Sequence, residues 1–381
     1  MIDTMVLTLN HGMFTILDRN KFTPSASGLY DLTGGYGLGG RANMKCTQNS
    51  TTNELKQGIY KPRLTVTKRQ NKLGGYDIPL KIEFSAPKML FGNNFDEMTD
   101  SDFPKLLRKL NTTLREQMDV YISEDTLANA PISSIHFSKN IALTDYTLPY
   151  TYIKQLTKVN INKKLDTNQT DYRNEGHSFK YRASSFEIAF YDKLKDLQQG
   201  IISEKRAIEN DNALQLGLFD QFSKRKPFEV LRMEVRLGKR QKLKQILSNV
   251  GLTIEPTFKN LFSQEVAQKV LLHYLTEIEN NYPALLNYYY DTPKQFFSDF
   301  LISNPDKKLT SALKYLGMRV LLEDIGVREF RQLIGRYSSN AWYTLNKDMK
   351  SLHRTTEKSI FSLLNDSVAN YQPLKLVDFQ Q

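Results

Sequence analysis

Up to about residue 250, short stretches of the chain alternate between apolar and polar residues. A period of two is typical of β-strands, whose successive side chains point to opposite faces. The predicted strands are residues 5–9, 60–67, 79–84, 177–193 and 229–237. Gly74 and Gly75 lie between the second and third of these strands, which predicts a β-hairpin. Helical spacing of apolar residues predicts intervening helices at 103–118, 148–159, 203–222 and 239–250.

Beyond Pro256 the period of two ends, and apolar residues recur at helical spacing. The predicted helices are residues 264–280, 293–302, 311–325, 327–337 and 340–352, and the last 20 residues look like a tail. We therefore predict an α+β protein with a domain boundary near 252–258. A largely antiparallel sheet with helices forms a catalytic domain at residues 1–252, and an all-helical domain follows at residues 258–381.

Four predicted strands carry ionisable side chains on the face opposite their apolar residues. In the strand at 185–191, for example, Glu187 and Tyr191 share the polar face. Any half-exposed antiparallel strand has such a face. Four of them in one sheet, with acids, an imidazole and a phenol rather than Lys, Thr or Ser, favour a functional site. The residues on these faces include Glu83, His136, Glu187, Tyr191, Arg232, Glu234 and Arg236.

This set of side chains suits phosphodiester cleavage. Carboxylates and an imidazole can bind a hard divalent cation such as Mg²⁺ or Mn²⁺, which would polarise the phosphate. A phenol, with a pKa of about 10, needs a cation or a general base before it attacks. Lys193 follows Tyr191 by two residues, on the same face if the strand continues, and could lower the pKa of the phenol. Attack by Tyr191 would leave a covalent phosphotyrosine on one DNA end and a free hydroxyl on the other.

Composition supports a nucleic-acid partner. The 381 residues include 52 Lys and Arg against 41 Asp and Glu, a net charge of +11, which favours a polyanion such as DNA. A membrane is the weaker expectation, because the sequence lacks a run of about 18 uncharged apolar residues. Cys46 is the only cysteine, which excludes disulfides within the chain and thiolate zinc clusters. The N-terminus has no secretory signal pattern, so we expect a cytoplasmic location.

Several segments, in order along the chain, resemble the rolling-circle replication initiators of filamentous phages and related plasmids, the gene II/X replication protein family. These are residues 1–9, the Glu strand and Gly-Asn-Asn loop at 82–94, the Tyr-x-Lys element at 190–193, the Arg-x-Glu-x-Arg strand at 231–237, and residues 339–343. The resemblance implies an HUH-related endonuclease that nicks a specific DNA site and rejoins it, with Tyr191 as nucleophile. It also implies Glu83 and Glu234 around a divalent metal, Mg²⁺ or Mn²⁺.

One expected metal ligand departs from the family pattern. Where many relatives have Arg-Ile-Asp, this chain has Ser134-Ile135-His136. A histidine can still ligate Mn²⁺ or Mg²⁺, so we expect His136 to complete the ligand set. The paired His-x-His of most rolling-circle nucleases is absent because the five histidines are scattered, which leaves the preferred metal open.

DNA contacts are expected beyond the cleavage centre. Basic clusters at 224–226 and 239–244 suit phosphates. The helices at 311–325 and 327–337 have helix–turn–helix-like spacing, although helical hairpins without a DNA function are commoner. We expect the first domain to cut a single strand and the helical domain to recognise the origin duplex in a bacterial host, with a host helicase or polymerase as further partner. The predicted DNA-binding residues are Lys88, Asn93, Asn94, Arg232, Arg236, Lys239 and Arg240.

Two other functions stay open at this point. In a non-catalytic DNA-binding regulator, the polar faces would simply be exposed to water. A relaxase for plasmid mobilisation would share the chemistry but would usually bring clustered histidines. His177 begins the strand pair that leads to Tyr191, and an isolated imidazole there is more often structural or exposed than catalytic.

Overall fold

The structure is a computed structural model. It describes residues 1–29, 44–71, 75–145, 147–159, 169–173, 176–202, 228–287, 292–338, 340–353 and 359–379. The helix predicted at 203–222 and the basic cluster at 224–226 lie outside these ranges. Within them the fold is α+β, as predicted, with an antiparallel sheet in the N-terminal part and helices in the C-terminal part. None of the described helices combines the length and the apolar character that a membrane span requires.

The strands alternate apolar and polar residues, and their apolar side chains face the core. They are β1 (Ile2–Leu9), β2 (Thr15–Ile16), β3 (Met44–Gln48), β4 (Arg63–Gln70), β5 (Tyr76–Asp77), β6 (Leu80–Ser85), β7 (Val120–Tyr121), β8 (Ile132–Leu143), β9 (Gln169–Arg173), β10 (Ser178–Arg182), β11 (Phe186–Asp192) and β12 (Glu229–Leu237). The main sheet has the order β3-β4-β6-β1-β8-β12-β11-β10-β9, with β5 beside β4, while β2 pairs with β7. The predicted pairing of the strands around Gly74 and Gly75 is present as β4 with β6.

The register of three neighbouring strands decides which polar side chains meet. β12 lies between β8 and β11 and is antiparallel to both. Tyr191 is directly opposite Arg232, and Arg236 is directly opposite His136. Residues opposite each other in an antiparallel pair have Cβ atoms about 4.5–5.5 Å apart, so these side chains share one face of the sheet.

Glu83 joins the same face from the other side of β1. Val6 on β1 is paired with Glu83 of β6 and with Ser134 of β8, so all three residues point to one side. Because side chains along a strand alternate, His136 lies on the side of Ser134. The polar faces predicted from the sequence therefore lie together on one sheet.

The helices pack against the sheet and build the C-terminal part. They are α1 (Thr52–Lys56), α2 (Ala86–Phe91), α3 (Phe103–Thr112), α4 (Glu124–Ala128), α5 (Pro149–Leu156), α6 (Lys193–Ile202), α7 (Arg240–Asn249), α8 (Phe258–Leu261), α9 (Gln264–Asn281), α10 (Pro293–Ser303), α11 (Leu309–Gly335), α12 (Ala341–Lys350) and α13 (Ser362–Asn370). The ring of Tyr274 on α9 stacks on Phe186 of β11, with centroids 5.5 Å apart. The hydrophobic core is therefore continuous across the boundary expected near 252–258.

Two glycines explain where helices stop or bend. α7 ends next to Gly251, whose φ of +76° is a left-handed conformation that favours glycine. The helices predicted at 311–325 and 327–337 form α11, which is interrupted at Gly326, with φ +71° and ψ 175°. Gly326 therefore separates two helical segments within α11, as the sequence spacing predicted.

The prediction that the last 20 residues form a tail was wrong. After α13 the chain continues to a 3₁₀ turn at Leu376–Phe379. Leu374 and Leu376 pack against a second hydrophobic cluster formed by Phe95, Leu194, Leu197 and Val230. Val230 alternates along β12 with Arg232 on the polar face, so this cluster covers part of that face. The segment has no regular apolar spacing, and its burial depends on contacts that are distant in sequence.

Candidate active site

A cavity of about 450 Å³ opens on the polar face of the sheet, where that second cluster leaves it uncovered. It brings together the expected nucleophile and all three expected metal ligands. The predicted residues that line it are Glu83, Lys88, Asn94, His136, Tyr191, Glu234 and Arg236. The predicted residues that do not line it are Asn93, Glu187, Lys193, Arg232, Lys239 and Arg240.

The hydroxyl group of Tyr191 is held by Glu234. Tyr191 Oη donates a hydrogen bond to Glu234 Oε1 over 2.5 Å. The two residues are diagonal neighbours on β11 and β12, because Glu234 is directly opposite Ala189 and Tyr191 is opposite Arg232. The side chain of Glu234 is 2% exposed, so it is surrounded by protein groups and reaches the cavity only at its wall.

Arg232 fixes Glu234 from the buried side. Its side chain is 3% exposed, and Nε donates to Glu234 Oε1 over 3.0 Å. Arg232 was expected to contact DNA, but its guanidinium instead binds four residues from three other parts of the chain. Nη1 donates to Asn94 O (2.7 Å) and Asn140 Oδ1 (3.3 Å), and Nη2 donates to Asp3 Oδ1 (2.8 Å) and Ser138 Oγ (3.0 Å).

Arg236 holds the other oxygen of Glu234. Its Nε and Nη2 donate to Glu234 Oε2 over 2.8 and 2.6 Å. Nη1 donates to Glu187 Oε1 over 2.9 Å, and Arg182 Nε lies 2.7 Å from Glu187 Oε2. Glu187 is thus placed in an ion-pair ladder beside the cavity. Arg236 is 31% exposed and lines the cavity, so it is the arginine that an incoming phosphate can reach.

The charges around the pair keep Tyr191 protonated and Glu234 ionised. Desolvation of the hydroxyl and the negative charge of Glu234 raise the pKa of Tyr191 well above its ordinary value. Burial by itself would raise the pKa of Glu234, but the charges of Arg236 and Arg232 outweigh burial and hold it well below its ordinary range. The resting pair is therefore a neutral phenol that donates to a carboxylate.

Lys193 does not continue the strand. β11 ends at Asp192, and Lys193 is the first residue of α6, which rotates its side chain away from the position that strand alternation predicts. Its side chain is fully buried, with Nζ 5.8 Å from the centroid of the Tyr191 ring and 3.5 Å from Asp196 Oδ2. Burial lowers the pKa of Lys193 to about 8, and the charge of Arg232 adds to this. Lys193 therefore packs its ammonium against the tyrosine ring.

The three expected metal ligands are not arranged as a ligand set. Glu83 is exposed and His136 is half-buried, but both oxygens of Glu234 accept hydrogen bonds from protein groups. Throughout the described ranges, no three His, Cys, Asp or Glu side chains are grouped so that they could hold one ion. Burial and the charge of Arg236 lower the pKa of His136, which favours the neutral imidazole that metals bind. A cation that binds Glu234 would have to displace an arginine side chain from it. Metal binding therefore stays a prediction.

The remaining predicted DNA contacts fall into two groups. Asn93 is 5% exposed, and its Oδ1 accepts the N–H groups of Phe95 and Asp96 over 2.9 and 2.8 Å, so it shapes the loop after α2. Lys88 and Asn94 lie on the cavity wall. Lys239 and Arg240 are exposed at the start of α7, outside the cavity lining.

A buried ion pair behind the cavity was missed by the sequence interpretation. Glu97 lies 2.5 Å from Lys139 Nζ and also accepts the N–H groups of Asn140 and Leu374 over 2.7 and 2.9 Å. Burial would raise the pKa of Glu97, but the charge of Lys139 helps to lower it further, so the carboxylate stays ionised. Glu97 thereby ties the C-terminal segment to the loop that presents Asn94 to Arg232.

Part of this network left a signal in the sequence. Asn140 continues the polar alternation of His136 and Ser138 along β8. Extending the predicted strand beyond residue 138 would have placed Asn140 on the polar face. Asp3 left no such signal, because alternation puts it on the side of Met5 and Leu7; a register shift between Ile2 and Met5 interrupts the alternation, and the Asp3 carboxylate lies 2.8 Å from Arg232. Glu97 lies in a loop, where no period marks a residue as buried.

Comparison with known proteins identifies the larger part of the chain. A family model that describes the N-terminal part of the gene II replication-associated protein of filamentous phages matches residues 1–257. The matched range contains every predicted site residue and ends within the boundary predicted at 252–258. Searches of curated proteins and of solved structures gave no match.

Proposed function

The chain belongs to the filamentous-phage gene II family of rolling-circle replication initiators, and on this basis we propose that it nicks and rejoins DNA with Tyr191 as the nucleophile. The family accounts for DNA replication and DNA binding. The cleavage chemistry, the tyrosine and the covalent intermediate are our proposal. It is supported by the placement of a hydrogen-bonded phenol in a polar cavity that both acidic and basic side chains line.

The observation that carries the proposal is the 2.5 Å hydrogen bond from Tyr191 to Glu234. A phenol must lose its proton as its oxygen attacks phosphorus, and Glu234 Oε1 already accepts that proton in a hydrogen bond. In the resting state the two arginines make Glu234 a weak base. A phosphate that draws Arg236 away would make Glu234 more basic, so substrate binding and activation of the tyrosine would be coupled.

The proposed reaction exchanges one phosphoester for another. Tyr191 Oη bonds to phosphorus while the bond from phosphorus to the 3′ oxygen breaks, and the tyrosine carries the 5′ phosphate. The released end is a 3′-hydroxyl, which a replication initiator must provide because polymerases extend 3′ ends. In the reverse reaction the 3′-hydroxyl attacks the phosphotyrosine, so rejoining needs no ATP.

Further parts of the proposal rest on the family resemblance. A bound Mg²⁺ or Mn²⁺ would supply Lewis-acid polarisation of the phosphate, with Glu83 and His136 as ligands on the cavity wall. Residues 258–381 would help to recognise the origin duplex. A host helicase and polymerase in the cytoplasm of a bacterial host would then extend the released 3′ end.

The test uses supercoiled plasmid that carries the cognate origin. We expect wild-type protein to convert it to nicked circles and to remain attached to the 5′ end of the cut strand. Tyr191→Phe should bind the plasmid and leave it supercoiled. Tyr337→Phe is the matched control, because Tyr337 is 94% exposed and does not line the cavity. Equal nicking by wild type and Tyr191→Phe would overturn the proposal.

A further inference from the structure

Breaking the phosphodiester requires a second proton transfer that Tyr191 and Glu234 do not provide. The departing 3′ oxygen is an alkoxide, which is far more basic than a phenolate and leaves slowly unless it receives a proton. An acid for this purpose must line the same cavity as Tyr191. The cavity wall includes one more imidazole besides His136, that of His177.

Strand pairing places His177 next to Asp192, the residue that follows Tyr191. It directly precedes β10, and its carbonyl oxygen accepts the N–H of Asp192 over 3.0 Å. The next residue, Ser178, is directly opposite Tyr191. The imidazole packs against the ring of Tyr150, with centroids 6.2 Å apart, and is 21% exposed. Its position is therefore fixed by the same strands that fix Tyr191.

The two ring nitrogens of His177 have different surroundings. Nδ1 is buried without a hydrogen-bond partner and lies 3.8 Å from Oδ2 of Asp192, whose side chain is 4% exposed. Asp192 is itself held, because its Oδ1 accepts the N–H of Lys195 over 3.0 Å. Nε2 lies 2.7 Å from the Lys195 ammonium, from which it accepts a hydrogen bond. The buried carboxylate thus faces Nδ1, while Nε2 meets a cation that DNA can attract.

We propose that His177 is the general acid of the cleavage step and the general base of the joining step. In cleavage, Nε2–H of the imidazolium donates its proton to the 3′ oxygen as the phosphorus–oxygen bond breaks and Tyr191 Oη bonds to phosphorus. In joining, neutral His177 takes the proton of the 3′-hydroxyl as that oxygen attacks the phosphotyrosine. The phenol proton passes to Glu234 and returns by the same route, so each proton has a donor and an acceptor.

Lys195 connects this acid to substrate binding. In the resting state its ammonium donates a hydrogen bond to Nε2. A DNA phosphate would pair with Lys195 and release Nε2 for protonation. The other charged groups that line this end of the cavity are Asp192, Asp196 and Lys180. Asp192 is the group that faces Nδ1, so it is a positioning residue for the imidazolium.

The inference rests on the proposed function and can fail separately from it. The probe is a single-stranded oligonucleotide that spans the nick site mapped on the plasmid, made with either the normal 3′ oxygen or a bridging 3′ sulfur. A thiol has a pKa of about 8.5, so the sulfur leaves without help from an acid. We expect His177→Gln to cut the oxygen substrate about 10²–10⁴-fold more slowly than wild type, and the sulfur substrate at nearly the wild-type rate.

The matched control is His11→Gln, since His11 is exposed and does not line the cavity. An equal loss on both substrates, or no loss on either, would overturn the role of His177 and leave the nucleophile untouched. Tyr191→Phe should cut neither substrate, and if it cuts the sulfur substrate the proposed function itself fails.

Wild-type protein gives a test that needs no variant. Its rate on the oxygen substrate should fall as the pH rises, because the cleavage step needs a protonated acid, and this fall should be absent with the sulfur substrate.

Discussion

Replacing Glu234 with glutamine would remove the group that accepts the proton of Tyr191. The side chain at position 234 would keep almost the same shape. The carboxylate accepts hydrogen bonds from Tyr191 Oη, Arg232 Nε and two Arg236 nitrogens over 2.5–3.0 Å. A glutamine keeps one oxygen, but its NH₂ group cannot accept from an arginine, and the negative charge is lost. We expect nicking to slow by about 10²–10⁴-fold, the usual contribution of a general base.

The same substitution should also lower stability, because it leaves two arginines without their shared counter-ion. Removing one partner of a buried ion pair costs ~3–5 kcal/mol. Since Arg236 is 31% exposed, water compensates part of that loss. We therefore expect the free energy of unfolding, measured with urea at pH 7, to fall by about 3 kcal/mol.

The pH dependence of this difference follows from the lowered pKa of Glu234. Its stabilising contribution is fully present above the unfolded pKa of about 4.3 and is lost as the pH falls from there through the folded pKa. The stability gap between wild type and Glu234→Gln should therefore be constant from pH 8 to pH 6 and narrow only in acid, below about pH 4.

The assay is single-turnover nicking of supercoiled plasmid, with plasmid binding measured in parallel. Glu255→Gln is the matched control, because the Glu255 side chain is 67% exposed and its pairs with Arg240 and Lys244 lie on the surface. We expect the control to match wild type in rate and stability. A folded Glu234→Gln protein that nicks at the wild-type rate would refute the role assigned to Glu234.

Three further predictions concern neighbouring groups. Lys193→Met should raise the free energy of unfolding by ~3 kcal/mol at pH 7, because burial lowers the pKa of Lys193 from 10.5 to about 8. Measured by urea unfolding, this gain in the free energy of unfolding should shrink as the pH rises from 8 to 10.5. A variant less stable than wild type at pH 7 would contradict the prediction. Glu97→Gln should lower the free energy of unfolding by about 3–5 kcal/mol by leaving Lys139 buried without a counter-ion, whereas Glu265→Gln, at an exposed site, should not. EDTA should stop nicking and Mg²⁺ or Mn²⁺ should restore it; full activity in EDTA would exclude the metal.

The period of two in the sequence was sufficient to locate the polar face of the sheet. Alternation along a strand is a geometric necessity, so Glu83, His136, Tyr191 and Glu234 could be assigned to one side before their positions were known. The pattern holds only while the strand lasts. It misplaced Lys193, because the chain turns into α6 directly after Asp192.

Alternation also does not show whether a polar face meets water or protein. Arg232 has the pattern of an exposed, DNA-binding residue, yet its side chain is only 3% exposed. The loop at Asn94 and the segment around Leu374 come from distant parts of the chain and cover it. Such contacts follow from the packing of the whole fold, which is why both Arg232 and the C-terminal residues were misjudged.

The most direct test of the central claim is to identify the residue that becomes attached to DNA. Protein that has reacted with the cognate single strand can be digested with nuclease and protease, and the peptides examined by mass spectrometry. We predict one nucleotide adduct, on Tyr191, which is absent from Tyr191→Phe and present in Tyr337→Phe. An adduct on a different residue, or nicking with no covalent adduct at all, would contradict the account.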